Sequence, residues 1–217
     1  INEGVIRVAQ DYFTIKSYAT ASFIEKKSEF IGDIKPVTTP EEAVDFINEV
    51  KNMHKNARHY CYVYILRNDS VLRYSDDGEP QGKAAMPMLE VLKNNGLTDV
   101  CLVVTRYFGG ILLGGGGLAR AYSNGAAIAV NASEIVRMVL CKSITLLCSY
   151  SMYDKLSFYF DNFSLSVENI EYSDNVKIYI NIVSDEFDSF NELMSDKSFG
   201  SCKIEILDEK FSDIPVK

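Results

Sequence analysis

The sequence predicts an α+β protein of two domains, residues 1–135 and 136–217. Three observations carry this. Runs that alternate with period two are interleaved along the chain with runs of helical period, which excludes an all-α or all-β fold. The last ~80 residues alone spell β-α-β-β-α-β, the ferredoxin-like order. Charge shifts at the same boundary: residues 1–135 carry 14 Lys+Arg against 16 Asp+Glu, and residues 136–217 carry 8 against 14.

In the first domain, "ATASFIEKKSEFIGDIKPV" alternates around a polar middle and predicts a hairpin. "TTPEEAVDFINEVKNM" predicts a helix. Thr39 fits the N-cap, Pro40 the first helical position and Glu42 the third, from which its carboxylate can reach back to the cap. Ala43, Ile47 and Val50 recur at helical spacing, with Val44 beside them. "HYCYVYIL" is a β-rich run, "RNDS" a polar tip, and "VLRYSDDGEP" a strand entering a turn. "MPMLEVLKNNG" has Pro near its start and Gly just past its end, the asymmetry of a short helix. "VCLVVTRYF" predicts a buried strand. After it come six glycines in nine positions, then a helix with Leu118, Ala121, Tyr122, Gly125 and Ala129 on one face. So small a face can lie close on a sheet.

In the second domain, "VLCKSITLLCSY" predicts a strand and "YDKLSFYFDNF" a helix with Leu156, Phe160 and Phe163 inward. "LSVENIEYS" and "VKIYINIV" form a hairpin across "SDN", with Val176, Ile178 and Ile180 on the inner face. "DEFDSFNELMSD" predicts a helix that buries Phe187, Phe190 and Met194, and "SCKIEILDEKF" the last strand. The joint between domains is expected at residues 132–138.

Bulk properties narrow the function. A net charge of −8 excludes a protein that coats nucleic acid with its whole surface, and leaves the near-neutral first domain to meet RNA or another anion. No apolar run approaches the ~18 residues that span a membrane. "INEGVIRVAQDYF" shows no basic region ahead of an apolar block, so no signal peptide is expected and the location expected is the cytoplasm. Five cysteines without a CxxC pair, most of them in apolar runs, predict buried reduced thiols.

Three constellations could carry chemistry. The first is "RYFGGILLGGGGLARAY", residues 106–122. It fits neither nucleotide motif: Gly115 stands where a P-loop needs Lys, and Arg120 where a dinucleotide fingerprint needs its last Gly. Gly114, Gly115, Gly116 and Gly117 could still present backbone N–H groups to an anion at a helix start, between Arg106 and Arg120. The glycines could equally serve only positive φ and close packing, and the arginines could be paired internally with Asp76 or Glu79. The second is the acidic turn of Asp76, Asp77 and Glu79, whose carboxylates could help hold Mg²⁺ or could simply form a solvated turn. The third is Arg58-His59, an anion contact or general acid, or a structural pair at a strand entrance. Strands "VLRYS" and "VCLVVTRYF", joined by a crossover helix, should run in the same direction and bring the acidic turn and the glycine run to one sheet edge. Nothing assembles a nucleophile, a base and an oxyanion hole, so the residues lean against an enzyme without deciding the matter, and no cofactor is expected.

Taken in order, "KKSEFIG", "ARHYCYVY", "RYSDDGEPQGKAAMPMLEVL" and "VVTRYFGGILLGGGGLARAYSNGA" closely resemble the YigZ/IMPACT family, over residues ~20–130. The tail resembles that family's C-terminal DUF1949 domain. The resemblance implies a first domain like ribosomal protein S5 domain 2 and a ferredoxin-like second. A eukaryotic relative regulates translation by competing for an activator of the amino-acid-starvation kinase, and bacterial members are proposed to bind nucleic acid or ribosomes. What it implies here is a cytoplasmic binding protein acting around translation, contacting RNA, the ribosome or a translation factor through Arg58, His59, Arg106, Arg120 and the glycine run. Two alternatives stand beside it: a metal-assisted hydrolase using Asp76, Asp77 and Glu79, and a regulator that binds only protein. Two positions depart from the family pattern. "QGKAAMPM" replaces a commoner run of small residues, and Leu112 stands where many members place Lys.

Overall fold

The computed structural model of the protein describes residues 11–67 and 71–214. The segment read for a signal peptide (1–10) and most of the polar tip "RNDS" (68–70) lie outside them. The chain divides into two compact units, residues 12–136 and the residues from 137 onward together with Asp11.

The first unit runs β1 (Tyr12–Ile15), β2 (Ala19–Glu25), β3 (Ser28–Pro36), α1 (Pro40–Met53), β4 (His59–Leu66), β5 (Val71–Ser75), α2 (Ala85–Asn94), β6 (Val100–Tyr107) and α3 (Gly114–Ala132). Its five-stranded sheet has the order β2-β3-β6-β4-β5, with every neighbouring pair antiparallel. β6 is the middle strand and is covered on both faces. Val100, Leu102 and Val104 pack with α2 and α3, and Cys101 and Val103 pack with α1. A strand covered on both faces reads as a continuous apolar run, which is what "VCLVVT" is.

The helices form where local chemistry asks for them. Thr39 caps α1 by accepting from the Glu42 N–H, and the Glu42 carboxylate accepts from the Thr38 N–H at 2.6 Å, one residue before the cap. Those backbone bonds hold the Glu42 carboxyl below the ordinary carboxylate range. Its buried face is Ala43, Phe46, Ile47 and Val50; Val44 is exposed, because Phe46 fills the position facing the sheet. α3 buries the face its sequence predicts, with Leu118, Ala121, Tyr122, Gly125 and Ala129 inward. Its approach to β3 is very close. A Cβ on Gly32 would sit 2.3 Å from the Gly125 carbonyl oxygen, so only glycine fits there.

The second unit holds β7 (Ile135–Cys148), α4 (Tyr150–Leu156), β8 (Leu165–Tyr172), β9 (Val176–Val183), α5 (Phe187–Ser198) and β10 (Lys203–Ser212). The order β10-β7-β9-β8, all antiparallel, is the ferredoxin-like arrangement. Ile144, Leu146, Ile178, Ile180, Phe187, Phe190 and Met194 share one core. The predicted helix at "YDKLSFYFDNF" is α-helical only to Leu156 and tightens to a 3₁₀ helix over Ser157–Asn162. The tighter turn keeps both Leu156 and Phe160 in the core. Only Ser133 and Glu134 separate α3 from β7, and the boundary between the units, at residues 136 and 137, falls inside that strand and within the stretch 132–138 where the joint is expected.

Candidate functional site

β5 and β6 are both antiparallel to β4, so they run in the same direction and their C-terminal ends lie at one end of the sheet. The acidic turn leaves from one and the glycine run from the other, as the crossover argument predicts. β4 enters at that same end with His59. Phe30, Arg106 and His59 stand directly opposite one another on β3, β6 and β4, so all three side chains rise from one face.

Arg106 is the hub. Val100, Leu102 and Val104 set the inward parity of β6, and Arg106 continues it as the only charged residue of the strand; it is 5% exposed. Its Nη1 donates to Glu79 Oε1 at 2.7 Å, and Nη2 donates to Ser28 Oγ at 3.4 Å. The guanidinium lies over the rings of Phe30 and Phe108, 5.3 and 5.4 Å from their centroids. Glu79 Oε1 also accepts from the Tyr122 hydroxyl at 2.9 Å and lies 3.9 Å from His59 Nε2. Burial raises the pKa of Tyr122 far above that of an ordinary phenol, so it serves as a donor to the carboxylate. Cys61 lies beneath, donating to the Asp76 carbonyl, and burial pushes its thiol up as well. It is an inert thiol. Cys141 and Cys148, also buried, are pushed up to about 11.

Each carboxylate of the acidic turn has a separate structural partner. Asp76 accepts from the N–H groups of Gly82, Ala84 and Ala85, and so satisfies the start of α2. Asp77 accepts from the Tyr60 N–H at 2.7 Å, while its carbonyl accepts from His59 Nδ1. Glu79 is paired with Arg106. For the metal-assisted alternative this means that the three carboxylates are held by three different partners, and no group of three or more His, Cys, Asp or Glu among the described residues is placed to hold a metal ion.

The glycine run divides in two. Gly109 is a packing glycine. Its N–H donates to Ser28 Oγ, and a Cβ would lie 2.0 Å from the Lys27 carbonyl oxygen, inside the β2–β3 turn. Gly114 opens α3 with φ +67°, in the left-handed region that favours glycine. Gly115 and Gly116 are exposed, have no positive φ, and leave open space around the first turn of α3. The predicted loop is thus shorter than the run, because Gly114–Gly117 belong to the helix.

Three exposed cations surround this end of the sheet. The Arg58 N–H donates to the Arg106 carbonyl, and its guanidinium lies 5.9 Å from the Phe108 centroid. The Lys83 stem passes 3.7 Å from where a Gly115 Cβ would be. Arg120 stands on α3 one turn beyond the glycines. The structure thus brings Arg58, His59, Asp77, Glu79, Arg106 and the glycines together but divides their roles. Arg106, expected to meet phosphate, is buried and ion-paired, the alternative in which Glu79 takes it. Lys83, Ser28, Phe108 and Tyr122 complete the cluster without having been singled out. Strand parity was the missed signal: a charged residue on the inward side of β6 must have buried polar partners.

The cluster lies in a segment shared with known proteins. Residues 26–130 match the Impact N-terminal domain, and residues 146–201 match a domain of unknown function, DUF1949. The IMPACT family member YvyE of Bacillus subtilis (strain 168) is 38% identical over 194 residues, 89% of each chain. The IMPACT family member YigZ of Escherichia coli (strain K12) is 32% identical over 187 residues, 85% of this chain and 92% of its own. A crystal structure described as that of a hypothetical protein aligns with a TM-score of 0.59 at 30% identity, covering 92% of this chain and 98% of that one. Likeness at this level, running through both domains in the same order, makes the chain a member of the IMPACT family.

Proposed function

We propose that the first domain binds single-stranded RNA through its phosphates, as part of a protein that acts around translation. One observation carries this reading. Arg58, Lys83 and Arg120 are exposed and have no anionic partner among the described residues; Arg58 lies beside the exposed ring of Phe108, Lys83 beside Gly115 at the start of α3, and Arg120 on that helix. Cations track a phosphate backbone, and an exposed aromatic ring beside an arginine offers a surface on which a base can stack. Family membership supports the connection with translation. The second domain is poorly suited to the same task, since its 8 Lys+Arg against 14 Asp+Glu repel phosphate.

The test is fluorescence anisotropy of labelled RNA ten-mers, titrated at several salt concentrations. Arg58→Ala and Lys83→Ala should each weaken binding of all sequences alike and flatten the salt dependence by about one unit of slope or less. Absence of binding at low salt, or variants indistinguishable from the parent protein, would sink the reading.

A further inference from the structure

Beside the Arg106 cluster, β2 and the start of α3 enclose a groove of about 370 Å³, whose Phe23 stacks on Phe30. Phe23 and Glu25 of β2, Lys26 of the β2–β3 turn, and Leu113, Arg120 and Asn124 of the α3 end form its walls. Two features set it apart from an ordinary surface fold. First, Glu25, Lys26, Arg120 and Asn124 are all exposed, and none of these side chains is hydrogen-bonded or ion-paired to another described residue. Four polar groups with unused capacity converge on one space. Second, the turn carries lysines where its backbone disfavours them. Lys26 and Lys27 have φ of 44° and 67°, the left-handed pair that a two-residue hairpin turn normally fills with Asn-Gly. A bulky residue is disfavoured there, so positive charge stands at this point against the local conformational preference.

The chemistry of the walls describes a ligand. Two cations suit a phosphate. The Phe23 ring and Leu113 offer an apolar wall to a flat ring. The Glu25 carboxylate accepts only, and so favours a base edge bearing an amino group, while the Asn124 amide can donate or accept. The volume is at the small end of ligand pockets, of order 300–1,000 Å³, which suits one nucleotide.

We propose that this groove seats one nucleotide of the bound strand, its phosphate on Lys26 and Arg120 and its base against Phe23, with preference for an amino-bearing base over uracil. This rests on the RNA-binding reading above, with Arg120 common to both surfaces.

The test uses the full chain with adenine-rich and uracil-rich ten-mers, comparing Lys26→Ala, Glu25→Gln and Asn124→Ala with Lys83→Ala, which lies outside the groove. Melting temperatures are recorded throughout; exposed side chains should leave them unchanged. Lys26→Ala should weaken both RNAs by about three- to tenfold, the scale of one phosphate contact. Glu25→Gln and Asn124→Ala should each reduce the preference for adenine-rich RNA and leave uracil-rich binding unchanged. If Lys83→Ala weakens binding while the three groove variants behave as the parent, the groove proposal falls and the RNA reading stands. If no form binds RNA, the RNA reading falls, and an NMR titration with adenosine monophosphate decides the groove. Shifts at the Asn124 side-chain amide that vanish in Lys26→Ala uphold a nucleotide site for free nucleotide; no shift overturns it.

Discussion

Arg106 and Arg120 carry the same charge and flank the same glycines, yet they live in opposite environments. Arg106 is 5% exposed and held by Glu79 and Ser28, whereas Arg120 is exposed on α3. Arg106→Ala leaves the Glu79 carboxylate buried with no cation in contact, and should cost about 3–5 kcal/mol, read as a large fall in Tm. Arg120→Ala should leave Tm within a degree or so and weaken RNA binding. The reverse pattern would mean that the two roles are misassigned. The glycines divide in the same way. Gly109→Ala forces a Cβ into the Lys27 carbonyl and should cost at least about 1–3 kcal/mol. Gly116 has neither a positive φ nor a heavy atom within 4 Å of its Cβ position, so nothing there excludes a side chain. Gly116→Ala should be neutral or stabilising by up to about 1 kcal/mol, because alanine restrains the unfolded chain and favours the helix. Paired thermal melts of the two variants check this.

At the scale of an element, α1 is specified almost entirely by its own first turn. Thr39→Ala removes the side-chain acceptor for the Glu42 N–H and should cost about 1 kcal/mol by denaturant titration. Glu42 adds a pH dependence. Its pKa is lowered in the folded state by the Thr38 N–H, so its contribution is present above the ordinary carboxylate range and is lost as pH falls through the lowered value. The stability gap between the parent protein and Glu42→Gln should therefore narrow between pH 5 and pH 3, in a range taken from ordinary carboxylate values, about 4.3 for Glu. A constant gap would show that the carboxylate's charge is not what matters. β7 makes a different point. A boundary marked in the sequence by a shift in charge is a strand from Ile135 onward, because charge content says nothing about whether backbone groups are paired.

At the scale of the molecule, each unit has a core of its own: one cluster around Leu102, Val104 and Tyr122, another around Ile144, Ile178 and Phe190. Residues 12–136 expressed alone should therefore fold cooperatively, seen as a sharp thermal transition by circular dichroism, and should retain the RNA affinity of the full chain to within about threefold. A fragment that folds but loses binding by more than tenfold would transfer the function to the second unit or to the pair. The distribution of charge argues for the first outcome, since −6 of the net −8 lies in residues 136–217.

The order of elements from β2 onward, the buried faces of α3 and β9, the Ala43, Ile47 and Val50 part of the α1 face, the αβ order of the second domain and the meeting of acidic turn and glycine run at one end of the sheet were determined by the sequence, because each follows from period, capping residues or strand direction over short spans; the strand Tyr12–Ile15 and the place of Phe46 in the α1 face were not. Which charges are spent was decided only by the tertiary structure. Asp76, Asp77 and Glu79 read alike as neighbours in a turn, but each is consumed by a group brought from elsewhere in the chain: the start of α2, the Tyr60 N–H of β4, and Arg106 of β6. The same holds for Gly109, whose need for no side chain comes from Lys27, and for the groove, whose walls come from β2 and α3. A carboxylate or a lysine carries the same charge in any sequence; whether that charge is buried, paired or left for a ligand depends on contacts between residues 9 to 81 positions apart, and those contacts exist only once the sheet has closed.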